Sequence, residues 1–280
     1  MSRSLPVLTE TEAKSRLETC GYENVGHLEK NSNGLWIGVA QKNARVVYVA
    51  VDIRGNVYFR NQDQVDSRVD ASMQSFSQLG QDIFVYNTFF RERRTKGYFV
   101  DIGAYDGVTF SNSLFFERHL GWQGVCIEPL PSAFSLLKLS RAAICLNCAV
   151  SDCNGVGEFT DVDMPEFGKM YSGLRTEYNP RHAKLVQQYA SNQRTIQVQL
   201  RRLPDILDQL NVRTIDYLSI DIEGGELKVL QTLDFASCDI RVMSVENIYN
   251  DPEIRNYLAG FGYRLVKVFS RFDDLYAKNF

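Results

Sequence analysis

Two acidic turns hold the residues best suited to chemistry in this chain. Residues 98–109, Tyr-Phe-Val-Asp-Ile-Gly-Ala-Tyr-Asp-Gly-Val-Thr, run from an apolar, β-rich stretch into a turn that contains Gly103 and Gly107. Gly103 lets the backbone approach a ligand closely, and Gly107 is expected to open the helix that follows. Residues 217–226, Tyr-Leu-Ser-Ile-Asp-Ile-Glu-Gly-Gly-Glu, put Asp221 and Glu223 directly after an apolar strand and before two glycines, a turn that presents carboxylates. A further strand, 124–127, ends in Glu128, and an acid at the end of the second strand of a βαβ unit can accept hydrogen bonds from ribose hydroxyls. Another, 241–245, is followed by Glu246. Asp101, Glu128, Asp221 and Glu246 are therefore expected to converge on one edge of a sheet. Plainer readings stand beside these: a tight turn at the glycines, helix capping by Asp221 or Glu223, and a strand-end turn at Glu246-Asn247.

The first turn lacks the G-x-G-x-x-G series that seats a pyrophosphate on a helix N-terminus, which disfavours a dehydrogenase. It has Asp101 and Asp106 beside its glycines instead. Two carboxylates repel a pyrophosphate and suit a ligand with an ammonium or sulfonium centre, such as S-adenosylmethionine.

The surrounding pattern must position these turns. Strand-like and helix-like segments alternate from residue 76 onward: a helix over 131–139, a strand over 144–150, a hairpin-like piece near 157–161, a polar insert over 171–180 and a helix over 181–190. A strand at 195–200, a helix at 203–210, the strands 217–220 and 241–245, a helix from Pro252, and strands at 263–269 and 274–276 follow. Alternation of this kind predicts a mostly parallel α/β sheet covered on both faces, with its ligand site at the carboxyl ends of the strands. Residues 1–62 read as a small α+β domain, with a helix from Thr9 or Thr11 to Cys20 and strands at 24–30, 35–40 and 46–53. Residues 63–75 read as a linker and 76–280 as the main domain.

Composition sets the outer limits. The 280 residues, 44% hydrophobic and 23% charged with a net charge of -3, suit a soluble globular protein and argue against broad nucleic-acid binding. Residues 1–9 have no apolar signal core, and no apolar run approaches the roughly 20 residues that cross a bilayer, so a cytoplasmic location is expected. Of six cysteines only Cys145 and Cys148 form a C-x-x-C pair, within an apolar strand, where reduced core thiols are the readier reading than zinc or redox chemistry.

From about Ser75 onward the chain resembles the FkbM family of S-adenosylmethionine-dependent methyltransferases. The resemblance runs through residues 77–82 (Ser-Gln-Leu-Gly-Gln-Asp), 99–109, 111–113, 121–124, 126–129 (Cys-Ile-Glu-Pro), 149–151, 217–226 and 245–247 (Val-Glu-Asn), in order. It implies a Rossmann-like seven-stranded methyltransferase sheet with a final antiparallel strand. It also implies that Asp101, Gly103, Ala104 and Gly107 line the methionine end of the cofactor, Glu128 its ribose, and Ala149 and Ser151 its adenine. Gln81 and Asp82 would close over it from a helix, unless they are an ordinary helix N-terminus. The family pattern leads one to expect a His after Glu246, where this chain has Asn247. The N-terminal segment resembles a PepSY-type domain, in residues 13–17, 21–25, 34–36 and 51–56.

The expected reaction is methyl transfer to oxygen on a sugar or other small hydroxylated metabolite, with Asp221, Glu223 and Glu246 as catalytic candidates. Asp221, Glu246 and Asn247 could alternatively offer oxygen ligands to a divalent metal. His182 is a further candidate base, although an exposed helix histidine is the commoner case. N- or carboxyl-methylation, or a cofactor-sensing binding module without turnover, are the competing functions. The acceptor, and any protein partner of the N-terminal domain, are open at this level.

Overall fold

The computed structural model describes residues 8–30, 36–42, 45–51, 57–61, 73–164, 168–270 and 273–278. The chain divides into two compact units, one of Met1–Arg68 with Glu166–Gly168 and a larger one of Val69–Pro165 with Lys169–Phe280. Most of the expected linker, residues 63–72, lies outside the described residues.

In the first unit, helix α1 (Glu10–Thr19) starts with a capping box: the Glu12 amide donates to Thr9 Oγ1 at 3.3 Å and the Thr9 amide to Glu12 Oε2 at 2.8 Å. Strands β1 (Glu29–Lys30), β2 (Trp36–Lys42), β3 (Arg45–Val51) and β4 (Val57–Asn61) form one antiparallel sheet in sequence order. Val47, Val49 and Val51 alternate inward along β3, and they pack with Ala13 and Leu17 of α1 and with Leu28 and Ala40. The strand expected at 24–30 shrinks to β1.

The larger unit contains α2 (Gln81–Val85), which runs on as a π-helical turn (Tyr86–Phe90), then β5 (Tyr98–Ile102), α3 (Leu114–Leu120), β6 (Gln123–Ile127), α4 (Pro131–Ser140), β7 (Ile144–Leu146), β8 (Ala149–Ser151) and β9 (Gly155–Asp163). It continues through β10 (Gly173–Leu174), α5 (Pro180–Tyr189), β11 (Asn192–Arg202), α6 (Leu203–Gln209), β12 (Thr214–Ile220), α7 (Glu226–Gln231), β13 (Asp239–Glu246), α8 (Pro252–Ala259), β14 (Tyr263–Phe269) and β15 (Asp273–Lys278). A seven-stranded sheet has the order β14-β15-β13-β12-β5-β6-β7, with β15 antiparallel to both neighbours and the β13-β12-β5-β6-β7 ladder parallel. Its central strands are buried on both faces. Val100 and Ile102 of β5 pack with α6, α7 and α8 residues such as Leu203, Leu230 and Leu258, while Phe99 packs on the opposite face with Val85 of α2, Phe115 and Phe116 of α3, and Leu137 of α4. No described helix is long and apolar enough to cross a membrane.

Two elements depart from the sequence expectation. The helix after the glycine turn begins at Leu114, not at Gly107, because Gly107 takes a left-handed φ of +81° that no right-handed helix contains. The strand expected over 144–150 is split. Asn147 Nδ2 donates to the Glu128 and Pro129 carbonyls, which turns the chain out of the large sheet after β7. β8 then pairs in parallel with β11 in a second, four-stranded sheet of order β10-β9-β11-β8, in which the expected short hairpin is the long β9–β11 pair. Cys145 and Cys148 are both free thiols.

Candidate active site

The carboxyl ends of β5, β6 and β12 are tied together by backbone bonds. The Gly103 and Ala104 amides donate to the Ile127 carbonyl at 3.0 and 3.1 Å, and the Asp221 amide donates to the Ile102 carbonyl at 3.0 Å. Gly103 has φ +83°, and a Cβ there would collide with the Asp221 carbonyl oxygen, so conformation and contact both demand glycine. The glycine turn and the Asp221 turn are thus direct neighbours.

Glu128 is buried and accepts from the Tyr105 amide at 2.9 Å and the Leu130 amide at 2.8 Å, one to each oxygen. A carboxylate oxygen has a second lone pair, so both retain capacity for the two hydroxyls of a ribose. Burial pushes its pKa up to about 7 against the pull of those two amides.

Asp101 faces inward. The Ser113 hydroxyl donates to it, and the Arg141 guanidinium stands 3.8 Å away. Arg141 also donates to Glu117 Oε2 at 3.0 Å, to the Gly107 carbonyl and Ser111 Oγ at 3.2 Å, and to Ser113 Oγ at 2.9 Å. Burial raises the Asp101 pKa in spite of Arg141 and Ser113. Asp106 is engaged within its own turn, accepting from the Val108 and Thr109 amides at 2.9 and 2.7 Å and from the Thr109 hydroxyl at 2.7 Å. Both acids hold the loop that follows β5. Arg141 directly follows α4, and nothing in its sequence neighbourhood marks its role.

On the other side of the Gly103 turn, carboxylate oxygens of Asp221, Glu223 and Glu246 all lie within 4.8 Å of one another. Asp221 is exposed; Glu223 and Glu246 are half-buried. Glu223, Gly224 and Gly225 have φ of +62°, +126° and +89°, and the Gly224 amide donates to Glu226 Oε1 at 2.8 Å. Gly225 is the N-cap of α7 and no side chain caps that helix, so neither Asp221 nor Glu223 has the capping role. Crowding by protein, and next the charge of Glu223, push the Asp221 and Glu246 carboxyls well above the usual range, and burial takes Glu226 to about 7. Carboxylates this close favour a shared proton or a cation among them.

Asn247 is spent on the strand-end turn. Its Nδ2 donates to Asp274 Oδ2 and to the Asp251 carbonyl, and its Oδ1 accepts from the Asp251 amide at 2.6 Å. Asn247 Oδ1 is thus taken up by the Asp251 amide, and the acids that come together are Asp221, Glu246 and Glu223. Asp273, which sequence reasoning missed, joins this edge because β15 runs antiparallel and its first residue pairs with Glu246. Burial raises its pKa to about 6, and it accepts a hydrogen bond from Gln81 Nε2 at 2.5 Å. Asp82 is turned inward, accepting from the Ser75 and Ser77 hydroxyls and the Phe76 amide at 2.6 Å. Ala149 is packed with Leu130, Phe159 and Tyr105, and Ser151 lines a small pocket with Asp152, Ile222, Gly224 and Gly225.

His182 corrects the expectation of an exposed helix residue. It is only 1% exposed, because the insert folds its helix back so that the ring enters between Tyr171 and Tyr178. Its Nδ1 lies 3.0 Å from Glu223 Oε2, and its Nε2 3.1 Å from the Tyr171 carbonyl.

A largely parallel α/β sheet with this strand order, a reversed β15 and helices on both faces defines a Rossmann-like methyltransferase architecture. The Methyltransferase FkbM domain family matches residues 101–265, more than half of the chain, and the chain belongs to that family. Membership implies S-adenosylmethionine as methyl donor, and the glycine cradle and the spare acceptor capacity of Glu128 fit such a ligand. Among solved structures the chain is similar to Methyltransferase FkbM from Methylobacillus flagellatus KT, at 16% identity and a TM-score of 0.40, over 69% of this chain and 47% of that one. It is also similar to a chain of a fibrillarin/Nop5p complex, at 12% identity and a TM-score of 0.34, over 83% of this chain and 97% of that one. The chain thus spans about half the length of the FkbM structure it matches. No curated protein matches it.

Proposed function

We propose that the larger unit transfers a methyl group from S-adenosylmethionine to a hydroxyl oxygen of a small acceptor, a sugar or similar metabolite, with Asp221 as the base. The observation that carries this reading is the contact of the Asp221 turn with Gly103, which sets an acid of raised pKa beside the cofactor cradle. When bound, the cofactor supplies an electrophilic methyl on a sulfonium centre. The chain's own part is mostly positioning. The turn from Gly103 to Gly107 admits the ligand backbone, Glu128 takes the ribose hydroxyls, and Ser151 borders the adenine end. An Asp221 carboxylate oxygen takes the proton of the acceptor hydroxyl as the new carbon–oxygen bond forms and the sulfur–carbon bond breaks, and its raised pKa makes it a stronger base than an ordinary carboxylate. Glu223 and Glu246 orient the acceptor. This acidic edge repels an anionic acceptor, which counts against carboxyl methylation; an amine, attracted by the same charge, is the second reading. For the first unit, its helix on an antiparallel sheet supports the PepSY-like reading of a binding module.

Calorimetric titration with S-adenosylmethionine and S-adenosylhomocysteine, with NAD as control, tests the cofactor; an acceptor screen with and without magnesium tests the reaction. Glu128→Ala is expected to weaken adenosyl binding roughly tenfold or more through lost charge-assisted hydrogen bonds, whereas Asp221→Asn spares binding and lowers turnover. Equal loss of binding in both variants would remove the division of roles.

A further inference from the structure

We propose that His182 is a positioning residue: from the insert helix α5 it grips the Glu223 carboxylate and so fixes the direction in which the Asp221 turn faces the acceptor, a role that rests on the reading of Asp221 given above. The grip is built from three sides. Nδ1 stands 3.0 Å from Glu223 Oε2, at ion-pair distance but off the line of a hydrogen bond, and Nε2 faces the Tyr171 carbonyl at 3.1 Å. The ring is held between Tyr171 and Tyr178, with centroids 5.5 and 4.4 Å away, and the Tyr178 hydroxyl closes the frame by donating to the Tyr171 carbonyl at 2.7 Å. The imidazole therefore has no room to swing away.

The turn it grips needs an anchor. Glu223 is a non-glycine residue at φ +62°, a conformation that costs about 1 kcal/mol or more, and the two glycines after it have ready alternatives. Glu226 holds the Gly224 amide from within the turn, and His182 holds Glu223 from the insert.

Two substitutions separate this grip from simple packing. An asparagine amide can place its nitrogen where Nδ1 stands, and a glutamine amide can place its own where Nε2 stands. In the full chain without cofactor or acceptor, we expect hydrogen exchange across residues 221–229 to be roughly tenfold faster in His182→Gln, the scale of one lost charge-assisted contact, and within about twofold of the parent in His182→Asn. Glu223→Met removes the same contact from its other end and should match His182→Gln, which keeps the test open if a histidine variant fails to fold. Adenosyl-ligand affinity should be unchanged in all three. Unchanged exchange in both His182→Gln and Glu223→Met, equal acceleration by asparagine and glutamine at position 182, or loosening that extends through β5 and β12 would each overturn the proposal. These measurements use no ligand, so failure of wild-type adenosyl binding would sink the methyl-transfer reading while leaving the result on the grip intact.

Discussion

Arg141 ties together the loop that follows β5. Its buried guanidinium serves Glu117, Gly107, Ser111 and Ser113 and stands beside Asp101. Arg141→Met should destabilise the larger unit by about 3–5 kcal/mol in urea titrations, because Asp101 and Glu117 would stay buried without their cation. Arg141→Lys should recover little, since a point charge cannot replace a forked donor set. Protonation adds a second residue-scale effect. Glu128 and Glu226 are raised from 4.5 to about 7, and Asp273 from 3.8 to about 6. Between the lower and upper values the folded protein binds more protons than the unfolded chain, so stability falls as pH rises through that window. Thermal melts should show a decline from about pH 5 to about pH 7.5, shallower in Glu226→Gln; a parent curve flat over that range would contradict the assignment.

At the scale of elements, what matters is where strands stop. β5 ends against the Asp221 carbonyl, and Gly103 is the residue that permits it. Gly103→Ala combines a left-handed φ with a backbone collision, and should cost about 2 kcal/mol or more in chemical denaturation and abolish adenosyl binding by calorimetry. Retained affinity in that variant would show that the turn is not part of the cradle. The β7–β8 break and the reversal of β15 act in the same way, delivering Ser151 to one pocket and Asp273 to the acidic edge. The apolar runs of these strands were legible from residue type, since double burial needs continuous hydrophobic stretches. The break after Leu146 was not, because it depends on the Asn147 amide reaching carbonyls 18 and 19 residues earlier.

Among the described residues, the apolar cluster of the first unit contains only its own residues, and those of the larger unit contain none of the first. Scanning calorimetry of the full chain should therefore resolve two transitions, with S-adenosylmethionine raising only that of the larger unit, because a ligand stabilises the unit whose folded state it binds. One transition that shifts as a whole would mean that the units unfold together.

The sequence by itself determined the α/β class, the doubly covered parallel sheet and the acids that follow its strands, because periodicity, apolar runs and glycine turns are local properties of the chain. It also carried the family resemblance, since the motifs keep their order along the chain. Tertiary structure alone decided which acids work together. Arg141 reaches Asp101 across 40 positions, Asp273 meets Glu246 through strand reversal, and His182 meets Glu223 across 41. Such contacts are set by how elements pack, and a pKa follows from the burial and charge that packing creates, neither of which is written in the spacing of neighbouring residues.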